Sequence, residues 1–142
     1  MNAILVVASD AILRRLVSEI LTLSDYQVTT VDNSHAATAL LQTDSYRPDL
    51  ILFDLPMQRS DGIELLEAVP SQEKRREIPV VVLASRTQMI ALGLELTYEA
   101  DGYISKPFTI KALLMTIQSV LTQCRLANQN LQSNTATPPR LA

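Results

Sequence analysis

The sequence predicts an α/β domain built on a parallel sheet, and three observations carry that prediction. Short unbroken apolar runs recur along the chain, at Ile4-Leu5-Val6-Val7, Leu50-Ile51-Leu52-Phe53 and Val80-Val81-Val82-Leu83. Such runs fit strands buried on both faces. The segments between them place apolar residues at helical spacing, and the resulting alternation implies right-handed crossovers with helices on both sides of the sheet. At 142 residues, 47% of them apolar, the chain is long enough for one domain with an aliphatic core.

The elements follow in order. Ala3 to Val7 is the first strand, and Asp10 can cap the helix after it. That helix carries Ile12, Leu13, Leu16, Val17, Ile20, Leu21 and Leu23 and is broken at Ser24-Asp25. Gln27 to Val31 is a β-rich second strand. Asp32-Asn33-Ser34 is a capping cluster for a smaller helix with Ala36, Ala37, Leu40 and Leu41. The third strand, Leu50 to Asp54, is followed by Leu55-Pro56, where the chain must leave the sheet. Ile63, Leu65, Leu66 and Val69 mark a helix that stops near Pro70, and Lys74-Arg75-Arg76 reads as a solvated turn. Val80 to Leu83 is the fourth strand, with a helix expected over roughly Thr87 to Thr97. Gly102-Tyr103-Ile104 is a short fifth strand. Thr109 can cap a last helix bearing Leu113, Leu114, Ile117, Val120, Leu121 and Cys124. The 3 and 4 spacings through Leu131 predict that this helix runs to about Asn128 or beyond. The expected division is residues 1–128 as the domain and 129–142 as a polar, Pro-containing tail predicted to be disordered.

Composition excludes several function classes. A net charge of −3 gives no strong attraction to nucleic acid. The single cysteine, Cys124, rules out an internal disulfide and argues against a cysteine-based metal site. None of the glycines Gly62, Gly93 and Gly102 lies in a dinucleotide or P-loop arrangement, which disfavours a flavodoxin-like cofactor enzyme. No signal peptide or membrane-spanning run is visible, so a cytoplasmic, non-membrane protein is expected.

The stretch from Pro48 to Gly62 organises the chain. It sets a carboxylate, Asp54, at the end of a buried strand. Ligands of open α/β sheets bind just beyond the carboxyl ends of the strands, so Asp54 is placed for chemistry. The plainer alternative, an aspartate that caps a turn, stands beside it.

These residues resemble a response-regulator receiver domain, the flavodoxin-like module of two-component signalling. Pro48 to Gly62 is similar to its phosphoacceptor strand and loop, with Asp54 at the phosphorylated position and Asp61-Gly62 following. Ala100 to Phe108 is similar to its fifth-strand motif, with the Lys106-Pro107 pair. The resemblance implies a (βα)5 three-layer sandwich, parallel sheet order 2-1-3-4-5, and no enzyme activity beyond signalling. It also implies a Mg²⁺ ion held by an acidic pair, a phosphoryl-binding lysine at Lys106, a hydroxyl after the fourth strand, and a switch aromatic at Tyr103. Implied partners are a histidine kinase, a phosphotransfer protein or a downstream effector, with a second copy of the chain as a further candidate and no output domain after the receiver region.

The chain departs from this pattern. The acidic pair is replaced by Ala8 and Ser9, leaving Asp10 as the residual acid, and the hydroxyl position is Ala84. Ser85 is adjacent, but strand alternation is expected to turn it away from Asp54. Glu99 and Met57-Gln58 also differ from the family's usual Gly and Met-Pro. Asp54 and Asp10 then offer at most a weak Mg²⁺ site. Two readings follow. In one, Asp54 and Lys106 persist as an ion pair in a phosphorylation-independent binding module. In the other, Asp54 is a working phosphoacceptor. The smaller Ala84 is also expected to let the Tyr103 ring pack inward.

Overall fold

The computed structural model describes residues 2–43, 45–54, 78–88, 90 and 101–136. The ordered elements are β1 (Ala3–Val7), α1 (Ala11–Leu23), β2 (Gln27–Val31), α2 (Ser34–Leu41), β3 (Leu50–Asp54), β4 (Val80–Ser85), β5 (Gly102–Lys106) and α3 (Ile110–Ala136). The five strands are parallel and run β2-β1-β3-β4-β5. This is the expected flavodoxin-like order. The helices expected after Gly62 and over most of Thr87 to Thr97 lie outside the described residues.

Strand alternation divides the apolar residues between two cores. Ile4, Val6, Leu50, Leu52, Val81, Leu83 and Ile104 face one side, where Val17, Ile20 and Leu21 of α1 and Leu113, Ile117 and Val120 of α3 cover them. Leu5, Val7, Ile51, Phe53, Val80, Val82 and Ala84 face the other, packed with Ala37 of α2. Every residue of β3 is buried, as its unbroken apolar run required. Both faces of the central strands are thus removed from water, which explains why these strands show no polar alternation.

Helix starts follow the sequence signals. Asp10 Oδ1 accepts from the N–H groups of Ile12 at 2.9 Å and Leu13 at 3.3 Å. Asn33 Oδ1 accepts from Ala36 N–H at 2.7 Å, and Thr109 Oγ1 from Ala112 N–H at 3.0 Å. Gly102 lies where β5 and α3 approach closely. A Cβ there would meet Val120 Cγ2 at 3.0 Å, so a side chain would require Val120 to give by a few tenths of an ångström.

Two aspartates tie the N-terminal edge of the sheet. Asp49 Oδ2 accepts from the N–H of Ala3 at 2.7 Å, and Asp101 Oδ2 from the N–H of Val80 at 2.8 Å. Each sits just before one strand and satisfies the first N–H of the strand beside it. Cys124 of α3 is near this edge: burial pushes its thiol up, and the carboxylates of Asp101 and Asp49 add to the rise. It is a free thiol of intermediate burial.

The helix α3 extends to Ala136. The expectation that it passes Asn128 holds. The segment 129–136, expected to be disordered, is helical, because no Gly or Pro interrupts it before Pro138.

Candidate functional site at the carboxyl ends of the strands

Asp54 ends β3, and the register places it beside Leu83 of β4. It is the one buried charged residue among the described residues, at 7% exposure. The Lys106 ammonium at the end of β5 forms an ion pair with Asp54 Oδ1. The lysine side chain is 29% exposed, so its partner is the more deeply desolvated of the two. Burial pushes the Asp54 carboxyl above the usual carboxylate range. Lys106 opposes the rise through its hydrogen bond and its charge, and the Asp10 carboxylate adds to it. A buried carboxylate is costly unless paired, and Lys106 supplies the pairing.

The residues at the implied acidic-pair positions behave differently. Ala8 is 2% exposed and belongs to the core beneath α1. Ser9 is exposed. Asp10 is near enough to influence Asp54, but its Oδ1 is engaged in capping α1. Arg14, which the sequence reading passed over, reaches back from α1 and donates from Nη1 to the carbonyl of Ala8 at 2.8 Å. A positive group therefore stands beside the end of β1. Among the described residues no group of three or more His, Cys, Asp or Glu is placed to hold a metal ion.

Around β4 the structure corrects the sequence reading twice. Ala84 is in register with Ser105, whereas Ser85 is in register with Lys106. Alternation from Leu83, the register partner of Asp54, therefore puts Ser85 on the Asp54 side and Ala84 on the other. The expected turning away of Ser85 does not occur. Ser85 also opens a helical turn: its Oγ accepts from Gln88 N–H at 3.1 Å, while its own N–H donates to Gln88 Oε1 at 2.8 Å. This reciprocal pair is a capping box, legible as Ser-x-x-Gln and missed in the sequence.

The second correction concerns Tyr103. The ring is not packed inward: the residue is 46% exposed, in register with Val82 on the edge strand β5. Ala84 is 0% exposed within its cluster. Lys106 is joined to Pro107 by a cis peptide bond. Asp61-Gly62, Met57-Gln58 and Glu99 lie outside the described residues.

A parallel sheet of this order, with a buried aspartate at the end of β3 ion-paired to a lysine at the end of β5, defines a receiver-type module. The model of the response regulator receiver domain family matches residues 4–118, and the chain belongs to that family. It is 32% identical over 140 residues to the transcriptional regulatory protein CpxR of Escherichia coli, covering 97% of this chain and 57% of that protein. It is 30% identical over 133 residues to the transcriptional regulatory protein KdpE of Staphylococcus aureus, covering 94% and 54%. A histidine kinase of Formosa agariphila is 34% identical over 120 residues, 84% of this chain and 8% of the kinase. The chain thus spans about half the length of the curated regulators. Among solved structures, the chemotaxis response regulator CheY4 of Vibrio cholerae superimposes with a TM-score of 0.73 at 30% identity, over 84% of this chain and 98% of that one. Receiver domains are signalling modules that interact with histidine kinases and effectors. No described helix is long and apolar enough to cross a membrane.

Proposed function

We propose that this receiver acts in phosphorelay-type signalling through protein–protein contacts, with weak or no Mg²⁺-dependent phosphorylation of Asp54. The observation that carries the reading is the Asp54–Lys106 ion pair beside an end of β1 that bears Ala8 and Ser9. In a receiver the metal neutralises the repulsion between several carboxylates and an incoming phosphoryl group. The donor set here does not fit Mg²⁺. Ala8 has no donor atom, Ser9 offers only a neutral hydroxyl, Asp10 Oδ1 is engaged at a helix start, and Arg14 places positive charge beside Ala8. A hard dication with near-octahedral demands is poorly served by such a set. Among the described residues, Asp54 is ion-paired with Lys106.

The unit proposed is residues 1–128, working in the cytoplasm. Its partners are a histidine kinase, a phosphotransfer protein or a downstream effector, with a second copy of the chain as a further candidate. The second reading, a phosphoacceptor at Asp54, draws support from the retained Asp54 and Lys106.

Incubation with Mg²⁺ and acetyl phosphate, followed by intact-mass measurement, separates the two. The proposal expects little labelling of the wild-type chain, and labelling regained when Ala8→Asp, Ser9→Asp and Ala84→Thr are combined. Stoichiometric labelling of the wild type would establish the phosphoacceptor reading instead.

A further inference from the structure

We propose that the outer stripe of α1 pairs with α1 of a second copy of the chain, antiparallel about a two-fold axis level with Val17. The inference rests on the reading of this receiver as a protein–protein module and assigns a surface to its second-copy candidate. It does not depend on whether Asp54 is phosphorylated.

Three observations carry it. First, α1 is apolar on two sides. Val17, Ile20 and Leu21 are buried against the sheet, yet Ile12 is 81% exposed, Leu16 47% and Leu23 85%. Ile12, Leu16, Glu19 and Leu23 follow one another at helical spacing, so they share one stripe of the helix. The stripe is about 16 Å long. Large apolar side chains gathered on one exposed stripe mark an interaction surface, where single scattered ones would not.

Second, the charges on this stripe are self-complementary. Arg15 Nε reaches Glu19 Oε1 at 3.2 Å within one chain, and both side chains are exposed. Arg15 and Glu19 lie at equal distances before and after Val17. A two-fold axis at Val17 therefore sets Arg15 level with the partner's Glu19, and Glu19 level with the partner's Arg15. Third, the same axis matches the apolar residues. Leu16 lies next to the axis and meets the partner's Leu16 across it. Ile12 and Leu23 lie near the two ends of α1, so Ile12 of each copy meets Leu23 of the other. All three exposed apolar residues of α1 are covered at once, and no like charges of the stripe oppose each other. An unrelated helix would have to supply this spacing of charge and apolar groups, whereas a second copy carries it already. Exposed ion pairs contribute little by themselves, so the charges set register and the apolar residues drive association.

The test is sedimentation velocity of the full chain from micromolar to millimolar concentration. A reversible monomer–dimer equilibrium is expected. Leu16→Asp should abolish the dimer, while Met115→Asp, on the exposed face of α3, should leave it unchanged. Arg15→Glu and Glu19→Arg each bring like charges together across the axis, and each should weaken self-association by about tenfold or more. Mixed in equal amounts, these two variants should form a heterodimer with nearly the wild-type affinity, because every interchain pair is again opposite in sign. A role for the ion pair within α1 alone predicts no such recovery, since each variant keeps like charges in its own helix. Circular dichroism confirms that each variant is folded. A wild-type chain that stays monomeric throughout, a dimer that survives Leu16→Asp, or a mixture that fails to associate would overturn the assignment. Acetyl phosphate labelling decides the phosphorylation reading separately, whichever way the sedimentation falls.

Discussion

Replacing Asp54 by Asn should stabilise the protein at neutral pH. The sign follows from the site. Asp54 is 7% exposed, and burial raises its carboxyl pKa despite the Lys106 ammonium beside it. A raised pKa means that the folded state disfavours the charged form relative to the unfolded chain. Between the ordinary value of 3.8 and the higher folded value, the native state binds more protons than the unfolded one. Stability contributed by this group is therefore present at low pH and falls as pH rises through that window. Asn has no such dependence. Its advantage should be near zero below pH 3.8, grow above it, and level off once Asp54 is ionised in the fold. Removing both members of a buried ion pair can stabilise a protein by about 1–4 kcal/mol. Only one member is removed here, which is costly when it strands a buried charge; Lys106, at 29% side-chain exposure, can regain water, so a net gain of no more than about 1 kcal/mol is expected. For a domain of this size that is a rise in Tm of up to about 3 °C. Urea denaturation of both proteins across the acidic to neutral range measures it. A less stable Asp54→Asn protein at pH 7, or an advantage that shrinks as pH rises, would refute the reasoning.

Three further outcomes are expected. Gly102→Ala should cost about 1–3 kcal/mol in urea denaturation, because its Cβ meets Val120 Cγ2 at 3.0 Å, and Val120→Ala in the same chain should recover part of the loss. Asp10→Ala should cost about 1 kcal/mol by removing the α1 cap, and Asp10→Ser should restore most of it in a thermal melt. Asp101→Ala should expose the Val80 amide to faster hydrogen exchange and lower stability by about 1 kcal/mol, since the lost bond serves a buried strand start.

The strands were legible because burial on both faces leaves an unbroken apolar signature, as in Leu50 to Phe53. The caps Asp10 and Thr109 were legible because short polar side chains before an apolar periodicity have few other uses. The pairing of Asp54 with Lys106 came through the family resemblance, since the residues lie on separate strands and nothing local links them. Other features depend on neighbours that a linear reading does not supply. The direction of Ser85 follows from register with β5, and counting along β4 from Ala84 led to the wrong face. Tyr103 was expected inward on the size of Ala84 and an open path past the neighbouring helix, yet it is 46% exposed on the edge strand β5. The contact from Arg14 to the Ala8 carbonyl requires the first turns of α1 to pack over β1. Asp49 and Asp101 each precede a strand, yet their hydrogen bonds go to a different strand.

The central claim is that Asp54 is balanced by Lys106 and not by a metal ion. Titration of the unmodified chain with excess Mg²⁺, following the backbone amides of Ala8, Ser9 and Asp54 by NMR and the melting temperature in parallel, tests it most directly. The account predicts small shifts that do not saturate and a melting temperature that stays put. Saturable shifts centred on Asp54, with a melting temperature that climbs with Mg²⁺ as a ligand of the native state requires, would contradict it.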